Sequence, residues 1–271
     1  MSRRFVVTVA VAVAAAALAQ AATGAHRAPR SRLGGDPAGS WVTYLTAACP
    51  PGEFMQRFSC NYVVPPPGRP TGLPPSNAAA YQQAAIWPGI EQHNLNLLQP
   101  ILQLYANPTN FTYQTYSEWF DWHGFKNKDS AMYAAAPGDL LFSDMQFVDH
   151  PTTPGYNVCQ HNLAATPPTT SCLFGTLESA FAPYLFDRAY LVLEHHFTRC
   201  DMYPPSDSVT FFNVTTVCGA PGTAGRRVTL DWTAHNKRPE CGAAAHVWPH
   251  DATQFTLTWN SSAPSANVTS K

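Results

Sequence analysis

Residues 97–105 read Leu-Leu-Gln-Pro-Ile-Leu-Gln-Leu-Tyr, and residues 189–197 read Ala-Tyr-Leu-Val-Leu-Glu-His-His-Phe. Strand side chains alternate between two faces. Read as strands, the first run places Leu98, Leu102 and Leu104 on one face and Gln99, Gln103 and Tyr105 on the other. The second places Ala189, Leu191, Leu193 and Phe197 together, with Tyr190, Val192, Glu194 and His196 opposite. Each strand has one apolar face suited to a core. Brought onto one concave sheet face, Gln103 and Glu194 would set an amide beside a carboxylate, a pairing able to activate a water and to hold an amide.

Working outward, the chain has 25 prolines and many short Thr, Val, Tyr and Phe runs in place of any long helical period. Further strands are expected at Trp41–Thr46, Phe58–Val64, Ala84–Ile90, Thr112–Trp122, Asp139–Val148, Tyr156–His161, Ser208–Val214, Val228–Trp232 and Gln254–Trp259, with those over Leu97–Tyr105 and Ala189–Thr198. Pro137-Gly138-Asp139, Pro154-Gly155, Pro204-Pro205 and the stretch from Gly219 to Gly225 supply turns. Short strands at this spacing predict an all-β sandwich or barrel. Ser179–Arg188 reads as a short helix or a loop. Residues 64–77, VPPPGRPTGLPPSN, lack too many backbone N–H groups for a central strand and read as a linker or an extended arm. The expected organisation is a signal peptide over 1–21, a proline-rich N-terminal segment over 22–77 containing Cys49 and Cys60, a sandwich over 78–260 and a flexible tail over 261–271.

The first residues set an expectation for the compartment. Ser2-Arg3-Arg4 precedes the apolar run of residues 5–19, with small-residue sites at Ala17-Leu18-Ala19 and Ala19-Gln20-Ala21. Charged region, apolar run and A-x-A site together are the pattern of a secretory signal. The run is shorter than the roughly 20 apolar residues that span a bilayer, and no later stretch is long and apolar enough. A secreted, extracellular, monomeric protein with no membrane partner is expected. Sequons at Asn110, Asn213, Asn260 and Asn267 predict glycosylation on that route. The seven cysteines, Cys49, Cys60, Cys159, Cys172, Cys200, Cys218 and Cys241, predict disulfides with one thiol left over. The economical pairings are Cys49 with Cys60, Cys159 with Cys172, and Cys200 with Cys218 or Cys241, although spacing does not determine connectivity.

A net charge of −1 with 12% charged residues excludes a nucleic-acid surface or a membrane-steering patch. The one local bias, His26, Arg27, Arg30 and Arg32, reads as a leader or a short pro-segment. No C-x-x-C pair occurs, and His195 and His196, adjacent on a strand, point to opposite faces, so neither a metal nor a cofactor is expected. A serine hydrolase lacks its G-x-S-x-G elbow, and there is no glycine-rich phosphate loop.

Five motifs then follow in order: Trp87-Pro88-Gly89-Ile90-Glu91, Ile101-Leu102-Gln103, Tyr116-Ser117-Glu118-Trp119-Phe120, Gly138-Asp139-Leu140, and Ala189-Tyr190-Leu191-Val192-Leu193-Glu194. In order and gaps, over about residues 84–214, they resemble the glutamic peptidases, the eqolisin family. Two places differ: the family's common Thr-Gly-x-Asp after the glutamine is Leu104-Tyr105-Ala106-Asn107 here, and the first acid of its A-E-W-I-x-E is Tyr190. The resemblance implies a concanavalin-like jelly-roll sandwich, a polypeptide substrate, and Gln103 and Glu194 as the catalytic pair. It further implies that Trp87 lies at the cleft and that Glu91 and Glu118 are supporting acids. Gln99, on the same strand face as Gln103, and Tyr190 complete the candidate binding residues.

That pair suits peptide hydrolysis. A glutamate takes a proton from water as the water attacks the carbonyl, and a glutamine N–H stabilises the oxyanion. A carboxyl with a reference pKa of about 4.3, raised further by neighbouring acids such as Glu91 and Glu118, implies an acid optimum. A rival reading is a carbohydrate-binding sandwich with Trp87, Trp119, Trp122 and Trp248 as an aromatic platform and a polysaccharide ligand. An enzymatic variant of it pairs Glu194 with Glu91 or Glu118, whose carboxyls would have to lie about 5–9.5 Å apart for glycoside hydrolysis. The third reading is an inactive structural protein held by disulfides and glycans.

Overall fold

A computed structural model describes residues 40–66, 81–92, 95–107, 110–122, 126–150, 152, 154–176, 186–195, 200, 203–237, 241–248 and 251–263. All of them fall in one compact unit, residues 37–271. The expected signal peptide, the basic leader, residues 67–77 of the proline-rich stretch, most of the 179–188 segment, His196, Phe197 and Asn267 lie outside the described residues.

Alternating apolar and polar positions build two antiparallel sheets, packed as a β-sandwich. The front sheet runs β14 (Thr233–Asn236), β1 (Trp41–Ala48), β11 (Arg188–His195), β3 (Tyr81–Gln92), β4 (Asn96–Asn107), β5 (Asn110–Asp121), β6 (Lys126–Asp129), with β7 (Tyr133–Ala135) also on β5. The back sheet runs β10 (Thr169–Thr176), β9 (Gly155–Asn162), β8 (Leu140–Val148), β2 (Phe54–Val63), β12 (Ser208–Gly219), β16 (Phe255–Thr258), β15 (Ala244–Val247), with β13 (Arg226–Arg227) on β12. Between the sheets, Ile86, Ile90, Leu98, Leu102, Leu191 and Leu193 of the front meet Phe58, Tyr62, Leu141, Met145, Val158 and Phe211 of the back. Each such side chain contributes about 1.5–3 kcal/mol by leaving water.

The front sheet is apolar on its other face too. Trp41, Tyr44, Ala85, Trp87, Leu97, Ile101, Tyr116, Tyr190 and Val192 form a second buried cluster there. A register shift between Trp41 and Thr43 of β1 puts Trp41 and Tyr44, three residues apart, on that one face, while Val42 and Leu45 enter the core. In mid-sheet the register of β3 on β4 sets Pro88 opposite Pro100. Neither has an N–H, so the loss to the ladder is confined to one position.

Three disulfides join Cys49 to Cys218, Cys159 to Cys172, and Cys200 to Cys241. The first corrects the expected Cys49–Cys60 pairing. Cys49 follows β1 in the front sheet, and the chain turns at once into β2 of the back sheet, where Met55 pairs in register with Cys218. Cys60 lies deeper along β2, fully buried and unpaired. The disulfide therefore ties one sheet to the other. The expected boundary at residue 77 is corrected by the same strands, since β1 lies between β11 and β14 and β2 between β8 and β12. Val228–Trp232, expected as a strand, is irregular and flanked by β13 and β14. Gly138, in the expected turn, has a φ of 89° that a side chain would strain.

Candidate functional site

Register turns the outer face of the front sheet into rows. One row runs Trp41, Glu194, Ala85, Gln103, Gln114 across β1, β11, β3, β4 and β5. Two residues along lies the row Tyr44, Val192, Trp87, Ile101, Tyr116, and two further the row Tyr190, Gly89, Gln99, Glu118. With strands about 4.8 Å apart, Gln103 and Glu194 sit about 10 Å apart at the backbone, separated only by the methyl of Ala85. Above them is a cleft of about 280 Å³, lined also by Ser40, Trp41, Tyr116, Phe120 and Trp122.

Glu194, half-buried, accepts from Ser40 Oγ at 2.6 Å on Oε1 and from Trp87 Nε1 at 3.0 Å on Oε2. Trp87 is buried, and Trp41 packs edge-on against it at 5.1 Å. Its six-membered ring lies over Gly89, where an added Cβ would come within 2.9 Å of Cζ3. Gly89 therefore leaves room for the ring that holds Glu194. Gln103, fully buried at the cleft floor, donates from Nε2 to the Ala84 carbonyl at 2.8 Å, and Tyr116 Oη donates to its Oε1 at 3.5 Å.

At the other end, Gln99 and Glu118 are partners in register on β4 and β5. Gln99 Nε2 donates to Glu118 Oε1, and Asn127 Nδ2 donates to Glu118 Oε2 at 3.2 Å. Burial pushes the Glu118 carboxyl up to about 7, with Asp129 adding to the rise and the two amide donors opposing it. Glu91, also buried, accepts from Tyr190 Oη at 2.6 Å. Desolvation raises its carboxyl above the usual range, against the pull of Tyr190 and Arg188.

Of the expected residues, Gln99, Gln103, Glu118 and Glu194 line one cleft, with Trp87 supporting it from beneath. Glu91 and Tyr190 pair with each other and do not line it. Neither acid neighbours Glu194, which corrects the idea that both act on it by proximity. Glu91 is six residues along the strand direction from the Glu194 row, about 20 Å, and Glu118 is three strands across and four residues along, also about 20 Å in a flat sheet. The expected aromatic platform does not form: Trp87 is buried, Trp119 packs against the inter-sheet core, and Trp248 follows β15 at the edge of the back sheet, so that of these four Trp122 alone lines the cleft. Among the described residues no three His, Cys, Asp or Glu side chains converge as a metal site.

Sequence reasoning missed Ser40, Trp41 and Ala85. The alternation of β5, with Gln114, Tyr116, Glu118 and Phe120 on one face, is the signal in the chain for Tyr116 and Phe120. Ser40 and Trp41 had none, because only the pairing of β1 with β11 brings them to Glu194. Fold and site together define a disulfide-bonded all-β protein with a carboxylate–carboxamide cleft. Compared with known proteins, the chain matches no family and no curated sequence.

Proposed function

We propose that the chain is a secreted peptidase of the glutamic type, acting on polypeptides in acid. The observation that carries this reading is the row in which Glu194 and Gln103 flank Ala85 at the floor of one cleft. An extended peptide laid over Ala85 meets both groups. Glu194, aimed by Ser40 and Trp87, takes a proton from water as the water oxygen bonds to the scissile carbonyl carbon. The Gln103 amide supplies an N–H to the oxygen that gains charge. Glu194 then returns the proton to the amine as the C–N bond breaks. Tyr116 and the Ala84 carbonyl hold the amide in place, and no cofactor enters the reaction.

The same reading takes the sandwich as a concanavalin-like jelly roll, residues 64–77 as a proline-rich arm, and residues 1–21 as the signal of an exported monomer. Its glycans are proposed at Asn110, Asn213, Asn260 and Asn267; of these, Asn213 and Asn260 are exposed. The test is hydrolysis of a denatured protein at acid pH by the wild type and by Glu194→Gln. Equal cleavage by both removes the assignment. The aromatic wall formed by Phe120 and Trp122, 4.6 Å apart, favours a saccharide ligand as the second reading. Quenching of tryptophan fluorescence by oligosaccharides, without proteolysis, would put it first.

A further inference from the structure

The peptidase chemistry makes no use of the Gln99 end of the cleft. Gln99 is 5% exposed and lines the cleft. Its Nε2 is committed to Glu118, which Asn127 holds from the other side. That commitment turns Gln99 Oε1 away from Glu118, and among the described residues this buried oxygen accepts no hydrogen bond. Buried acceptors are seldom left this way, because a missing donor is costly. The residue beside Gln99 on β3 is Gly89, which has no side chain to offer, and the ring of Trp87 fills the space above it.

We propose that Gln99 Oε1 is the receptor for a backbone amide N–H of a polypeptide lying extended in the cleft, about four residues from the bond held at Gln103 and Glu194. The inference rests on the peptidase reading and deepens it. The spacing follows from β4, on which Gln99 and Gln103 are four residues, about 13 Å, apart, the length of about four residues of an extended chain. A peptide amide suits this end better than a cationic side chain. With its carboxyl near 7, Glu118 is uncharged in acid and offers no charge to a cation.

The experiment compares a long probe, oxidised insulin B chain, with a short one, a blocked alanine tetrapeptide that spans only the Gln103/Glu194 end. Gln99→Met keeps the bulk of the side chain and removes the oxygen. It is expected to lower kcat/KM for the long probe about five- to tenfold more than for the short one, mostly through KM, as fits the loss of one neutral hydrogen bond. Gln99→Glu, which keeps an oxygen at that place, is expected to restore the long probe in acid. Equal losses for both probes, or no rescue, overturn the subsite. If Gln99→Met fails to fold, Gln99→Asn, whose oxygen is drawn back by one methylene, takes its place. Binding of the long probe by the Glu194→Gln protein, followed by tryptophan fluorescence, separates the two ideas. Should the wild type cleave neither probe, the peptidase reading falls, yet a dissociation constant weakened five- to tenfold by Gln99→Met sustains the subsite. An unchanged constant, or no binding, overturns it.

Discussion

The two ends of the cleft hold the same pair of residue types one strand-spacing apart in design. Gln99 and Glu118 stand in register on adjacent strands, so Gln99 Nε2 reaches Glu118 Oε1 directly. Gln103 and Glu194 have β3 between them and are held instead by other groups, Ala84 and Tyr116 on the amide, Ser40 and Trp87 on the carboxylate. One extra strand, about 4.8 Å, turns a directly bonded pair into a gap floored by Ala85. A scissile bond and a water fit between the members of the open pair and not between those of the closed one. The closed pair differs electrically as well, since burial holds the Glu118 carboxyl at about 7.

The largest effect is expected at the open pair. Glu194→Gln keeps the shape of the cleft and removes the proton acceptor, so acid hydrolysis of denatured casein should fall by about 10²–10⁴-fold. Glu118→Gln, at the closed pair, should leave a much larger rate; a loss as deep as that of Glu194→Gln would erase the distinction between the two ends.

Next in size is the response of stability to pH. The folded carboxyl of Glu118, near 7, lies above its ordinary value of 4.5. Between those values the folded chain binds more protons than the unfolded one, so stability is fully present below about 4.5 and is lost as pH rises through 7. The loss is on the order of 3 kcal/mol, and Glu91, also raised by burial, adds in the same direction. Chemical denaturation at pH 4.5 and pH 8 should show it, and Glu118→Gln should remove most of it. A wild type more stable at pH 8 would contradict the burial of Glu118.

Gly89→Ala probes what joins the ends. Its Cβ would meet Trp87 at 2.9 Å and the Leu98 carbonyl at 3.0 Å, and overpacking of this kind costs about 1–3 kcal/mol. Thermal melting should fall, and hydrolysis should fall with it because the displaced indole releases Glu194. The smallest change is Trp87→Phe, which keeps most of the ring and deletes the Nε1 donor. It should cost about 1 kcal/mol in stability and lower the acid rate several-fold while leaving the pH response of Glu118 intact. An altered pH response would show that Trp87 couples the two ends.

Much of this face was legible in the chain. Alternation in residues 97–105 and 189–193 assigned Leu98, Leu102, Leu104, Leu191 and Leu193 to the core and put Gln99, Gln103 and Tyr190 on the reverse face, because the strand period is a local property of the backbone. The disulfide between Cys159 and Cys172 was readable for a related reason, since the two lie in register on neighbouring strands only 13 residues apart in sequence. Cys49 and Cys218, 169 residues apart, were not readable, and neither were Ser40 and Trp41 beside Glu194. The sequence by itself determined which face the side chains of β4 and β11 take and that the chain is all-β. Only the tertiary structure decided that Ala85 stands between Gln103 and Glu194 while nothing stands between Gln99 and Glu118. Strand order and register are set by packing between distant segments, and no local pattern encodes how many strands separate two side chains that share a face.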